Sequence, residues 1–70
     1  MDILSSNKLS NNIKKYRLKL GLSQDKLARK ADMPYTTYLK IESGRTPNPG
    51  IQAVINIAKA LEISIDKLVS

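Results

Sequence analysis

Seventy residues with 12 bases against 6 acids give one small domain of net charge +6, with no cysteine and no histidine. Disulfides and the usual zinc sites are thereby excluded, and packing alone must hold a core that hides only about 60% of the unfolded chain's surface. No apolar run approaches the roughly 18 residues of a membrane span, and no basic-then-apolar leader opens the chain, so a soluble cytoplasmic protein is expected.

The charge is lopsided along the chain. Residues 1–45 hold ten bases and four acids, whereas residues 46–70 hold two of each. The whole net charge therefore sits on the N-terminal part, as expected if that part faces a polyanion. Taken alone, the charge also fits an anionic membrane or a plain solubilising surface.

Residues 1–8 are polar and aperiodic, which predicts a flexible N-terminal arm ahead of a folded domain over 9–70. Leu9, Ile13, Tyr16 and Leu20 then recur at spacings of four, three and four, one stripe of a first helix that Gly21 ends. Ser23 is placed to cap a second helix with Leu27, Ala28 and Ala31 inward. Asp32 and Met33 make a tight turn. Pro34 opens a third helix that carries Tyr38 and Ile41 inward and stops at Gly44. Within it, "DMPYTTYLK" sets tyrosines and threonines, mediocre helix formers, at a helix start. After the turn-rich "RTPNPG", Asn48 is expected to cap a fourth helix with Pro49 at its first position. Ile51, Val54, Ile55, Ala58 and Leu61 form its apolar face. Ser64 caps a short fifth helix with Ile65, Leu68 and Val69. Five helices with short joints and no period-two strand predict a compact all-α domain.

Two short helices joined by a tight turn are the helix-turn-helix arrangement. The segments "GLSQDKLARKADMPYTTYLKIESG" (21–44) and "IAKALEISIDKL" (57–68) resemble the lambda repressor-like, Cro and phage-repressor type of helix-turn-helix regulator. The matches run from Gly21, Ser23, Gln24, Leu27 and Ala28 through Ile41, Glu42 and Gly44 to Ala58, Leu61 and Leu68. The resemblance implies a sequence-specific regulator of transcription, most often a repressor, that binds double-stranded DNA. Its third helix would lie in the major groove with its first residues on base edges.

That docking explains the sequence of the third helix. Tyr35, Thr36 and Thr37 supply hydroxyls, and threonine adds a methyl that packs on a thymine methyl; Lys40, a turn later, reaches a guanine edge or a phosphate. A solvent-exposed polar face is the blander account of the same residues. The resemblance makes Ser23 and Gln24 phosphate or positioning contacts, with Gln24 bracing the first reading residue. It sets Arg45 and Thr46 in the loop that grips the second strand. Asn48 reads first as a cap and then as a phosphate donor. Lys8, Lys14 and Lys15 are either further contacts or a solvated basic face. Arg17 and Glu42 match the family's internal ion pair, a structural role.

A palindromic operator needs a two-fold homodimer, and in the family small members pair through the last two helices, here Ile57, Ile65, Leu68 and Val69. For Ile65 and Leu68, closing the monomer's own core is an equal reading. The chain departs from the family pattern at Asp32, where a glycine usually supplies positive φ, and at Pro34, where a serine cap is common. An enzyme is not expected, because the six carboxylates are scattered singly without histidine or cysteine. No cofactor or metal is implied. An adaptor or antitoxin role, with a protein partner in place of DNA, stays open.

Overall fold

In a computed structural model, which describes residues 6–46 and 49–70, the described residues form α1 (Ser6–Lys19), α2 (Gln24–Lys30), α3 (Tyr35–Glu42), α4 (Ile51–Leu61) and α5 (Ile65–Val69). No strand occurs among them. The all-α architecture expected from the periodicity is therefore present. α1 begins at Ser6, upstream of Leu9, so the expected arm of residues 1–8 gives up its last three residues to the helix; residues 1–5 lie outside those described.

The core is built where helical stripes converge. Leu9 and Ile13 of α1, Leu27 and Ala28 of α2, and Tyr38 of α3 meet Val54, Ile57 and Leu61 of α4 and Leu68 of α5. Each is nearly or wholly removed from solvent, and full burial of an aliphatic side chain of this size contributes about 1.5–3 kcal/mol. α1 is also tied to the end of α5, because the Asn12 side-chain amide donates to the Leu68 carbonyl at 2.9 Å and the Ser70 carbonyl at 3.0 Å.

Four of the helices end in the same way. At each end one residue turns left-handed, and the next sends its N–H back to a carbonyl five residues earlier: Leu22 to Arg17, Met33 to Ala28, Arg45 to Lys40 and Ile63 to Ala58. The left-handed residues are Gly21 (φ 69°), Asp32 (φ 56°), Gly44 (φ 78°) and Glu62 (φ 60°). Asp32 thus adopts the positive φ that its position demands. Such closures reverse the chain within a few residues, which allows short helices to stack in so small a domain. The N-termini of α2 and α5 are capped by Ser23 and Ser64, whose hydroxyl oxygens accept from Lys26 and Lys67 N–H groups at 3.1 and 3.3 Å.

Three expectations fail at helix ends. Leu20 is 45% exposed, because α1 stops at Lys19 and the Gly21 turn swings the chain, so that Leu22 packs against the core in its place. Ile51 is 60% exposed, because the first turn of α4 projects beyond the core. Of the expected face, Val54, Ala58 and Leu61 are buried, joined by Ile57 and Ala60, while Ile55 is half-buried. The α4 cap is Gly50, not Asn48 with Pro49 at the first helical position; Asn48 lies outside the described residues. Pro34 likewise stands at the cap of α3, without a side-chain bond, and accepts the Tyr38 N–H at 3.0 Å.

A left-handed backbone costs a non-glycine residue about 1–2 kcal/mol, of which glycine's greater unfolded-state freedom returns about half. Glu62 gains little in exchange, since its pair with Lys30 is 3.6 Å long and largely exposed. Glu62→Gly is therefore expected to stabilise the domain by about 0.5–1 kcal/mol and raise Tm by about 4 °C. Thermal melts followed by circular dichroism check this, and a lower Tm would show that the ion pair outweighs the strain.

Candidate nucleic-acid interface

α3 has only eight residues and no side-chain cap, so it cannot hold its own position. Tyr38 and Ile41 anchor one side of it in the core. Its last residue, Glu42, makes the second attachment. Arg17 of α1 donates from Nε to Glu42 Oε1 at 2.7 Å and from Nη2 to Oε2 at 3.4 Å, and Gln24 of α2 donates from Nε2 to Oε2 at 2.6 Å. The Tyr38 hydroxyl donates to Oε1 from within α3. Arg17 also donates from Nη1 to the Leu22 carbonyl at 2.8 Å. One carboxylate therefore fastens α1, α2 and α3 together.

The electrostatics follow from that geometry. Burial pushes the Glu42 carboxyl up, but the hydrogen bonds from Arg17, Tyr38 and Gln24, with the Arg17 charge, outweigh it and hold the carboxyl below its ordinary value. Burial, reinforced by the bond to the Glu42 anion, pushes the Tyr38 hydroxyl up, so it remains a donor. Burial would lower the Arg17 guanidinium, yet Glu42 overrides it and the net shift is upward.

With its inner side fixed, α3 turns Tyr35, Thr36, Thr37 and Lys40 to solvent. Thr36, Leu39, Lys40 and Ser43 form one stripe, at i, i+3, i+4 and i+7, along an open groove of about 580 Å³. Lys14 of α1, Gln24 of α2, Glu42 and Arg45 complete its lining. Tyr35 and Thr37 flank the stripe and are exposed without lining the groove.

The expected contacts divide on inspection. Ser23 is exposed and acts as the α2 cap. Gln24 is half-buried and braces Glu42, so its positioning role runs through the end of α3. Arg45 is exposed, whereas Thr46 is half-buried with its N–H on the Lys40 carbonyl at 3.2 Å. Ile57 and Leu68 are each 0% exposed in the monomer, where both belong to its own core, so they offer no surface to a second chain in this structure. Ile65 and Val69 are half-buried.

Two residues of this region are not singled out as site residues in the sequence. Tyr38 reads as core, and only its i, i+4 relation to Glu42 hints at the bond. Ser43 lies on the α3 stripe, seven positions after Thr36, while Lys14, named above as a possible contact, comes to the groove from α1. Lys14 lies three positions before Arg17, which puts both on the side of α1 that meets α3.

Arg45 is also the odd member of the four helix closures. The residues at the equivalent point of α1, α2 and α4 are Leu22, Met33 and Ile63, all packed against the core, where an apolar contact is usual. At the end of α3 the place is taken by an exposed arginine on the groove rim.

Glu42→Ala leaves the buried Arg17 guanidinium without its partner and is expected to destabilise the domain by about 3 kcal/mol, lowering ligand affinity together with stability. The pH dependence has a definite sign. Because Glu42 titrates below its unfolded value, its contribution is complete above that value, near 4.5, and is lost as pH falls through the lower folded one. Urea midpoints between pH 3 and 7 should fall on the acid side for the native chain and fall less steeply for Glu42→Gln; equal slopes would contradict the role given to this carboxylate.

A family model described as helix-turn-helix matches residues 13–68. No curated protein and no solved structure shows a significant match to the chain.

Proposed function

The chain belongs to the helix-turn-helix family of the Cro and phage-repressor type, a family of DNA-binding transcription regulators, and from that premise we propose a sequence-specific repressor that reads double-stranded DNA with α3 as a homodimer on a palindromic operator. The observation that carries this reading is the two-sidedness of α3. One side is locked by Tyr38, Ile41 and Glu42, and the other offers Tyr35, Thr36, Thr37 and Lys40 to solvent. A major groove about 12 Å wide admits one such helix, and hydroxyls, a methyl and an ammonium are groups that discriminate base edges there.

Base readers and backbone grips then separate by place. Tyr35, Thr36, Thr37 and Lys40 read. Arg45 grips phosphate from the rim, with Ser23 beside the N-terminus of α2 and Thr46 after α3 as further positioning contacts; Asn48, outside the described residues, keeps its sequence-based assignment. Gln24, Arg17 and Glu42 set the angle of α3.

Size and charge support the homodimer. One chain carries one reading helix and is 31 Å in its longest extent, whereas operator half-sites lie about 34 Å apart. The neutral segment over residues 46–70 is where two chains of charge +6 meet with least repulsion. Of the expected contacts, Ile65 and Val69 of α5 remain accessible for that purpose. A repressor of this kind works in the cytoplasm, on the nucleoid.

Selection from random duplex DNA tests the proposal, with an enriched palindrome as the expected result. Thr36→Ala should relax preference at one or two positions of the selected site, each contact contributing about 1–3 kcal/mol of discrimination, whereas Arg45→Ala should weaken all duplexes alike. Absence of enrichment, together with salt-insensitive capture of a protein, would favour an adaptor or antitoxin role instead.

A further inference from the structure

The turn between α2 and α3 is sealed by one side chain. Met33 follows the left-handed Asp32, sends its N–H to the Ala28 carbonyl at 3.0 Å and lays its side chain against the core. The next residue, Pro34, caps α3 without a side-chain bond. The start of the reading helix therefore takes its support from Met33, as its end takes support from Glu42. At the equivalent point of α1 and α4 the sealing residue is Leu22 or Ile63, hydrocarbons that resist oxidation. Met33 brings a thioether to that place. It is half-buried, so part of the residue meets solvent. The chain has no cysteine and one further methionine, Met1, which makes this the one oxidisable sulfur among the described residues.

We propose that Met33 is an oxidation site through which a hydroperoxide releases the reading helix. The thioether sulfur attacks the outer peroxide oxygen and the O–O bond breaks. The sulfur gains that oxygen as a methionine sulfoxide, and the peroxide is reduced to water or to its alcohol. The proposal rests on the regulator reading and adds a control to it. A sulfoxide oxygen is a strong hydrogen-bond acceptor. Turned inward it meets the apolar core without a partner, and turned outward it draws the side chain off the core. Either way the closure after α2 loses its apolar contact. α3, with eight residues and no side-chain cap, is then held only at its middle and its end. No group assigned to base reading or phosphate contact is altered, so binding is lost through the angle of α3. Enzymatic reduction of the sulfoxide makes the change reversible.

Peroxide treatment of the native protein tests the site, followed by peptide mass spectrometry, binding to the selected duplex and thermal melting. The expected result is one added oxygen on Met33, duplex affinity lowered about tenfold and Tm lowered by about 4–8 °C, with both restored by methionine sulfoxide reductase. Met33→Leu changes the volume little, and leucine already seals the α1 closure as Leu22. This variant should bind as the native chain does and lose nothing to the same peroxide. Three results would each overturn the proposal: added oxygen at Met33 with unchanged affinity and Tm, equal losses in Met33→Leu, or a Met33 left intact while free methionine in the same solution is oxidised. A native chain that binds no duplex DNA would remove the regulator reading alone, and the Tm of the oxidised chain would still decide whether Met33 seals the turn.

Discussion

The carboxylate of Glu42 is the constraint on which the rest depends. It closes the outer end of α3 against α1 through Arg17 and against α2 through Gln24, with Tyr38 completing its shell. A buried ion pair of this kind adds little net stability, because desolvation opposes the attraction. Its contribution is direction. α3 starts without a side-chain cap and contains residues of poor helix propensity, so its angle must be set by neighbours. Among the described residues no buried side-chain polar atom lacks a partner, which means the network is complete as it stands and tolerates no loose member.

The repeated helix closure plays a complementary part. Left-handed turns after α1, α2, α3 and α4 let short helices fold back on one another with joints of a few residues. In three of them the following apolar side chain seals the core, and in the fourth Arg45 does not. The domain thus departs from its own structural rule at the place where a charge is useful, a pattern common at functional sites.

Much of this was legible in the amino-acid order, and the failures have a common cause. Stripes in the middle of helices, such as Leu9 with Ile13 or Leu27 with Ala28, point inward as their spacing predicts. Periodicity reports the face of a helix but not where that face runs off the core. Leu20 and Ile51 both lie at such a margin and both are exposed. On α4, Val54, Ala58 and Leu61 are buried as expected, but counting Ile51 and Ile55 in the face left Ile57 as a supposed surface residue. For the site, the residue types on α3 were readable one by one. The bonds that orient it were only partly so, since Arg17 with Glu42 came from a resemblance, Gln24 on Glu42 required α2 and α3 to be packed together, and Tyr38 on Glu42 was hidden behind its reading as core.

The distribution of charge joins fold and function. Bases that serve no contact can be quieted locally, as Arg29 and Lys30 are by Asp25 and Glu62. Those lining the α3 groove are not, and the acid nearest to them is already occupied by Arg17. Uncompensated like charges around one groove repel each other and weaken the fold, the more so in a domain with little stability to lose. The same ion pair that fixes the angle of α3 therefore also prepares the potential beside it, so that removing Glu42 would disturb orientation and electrostatics through a single side chain.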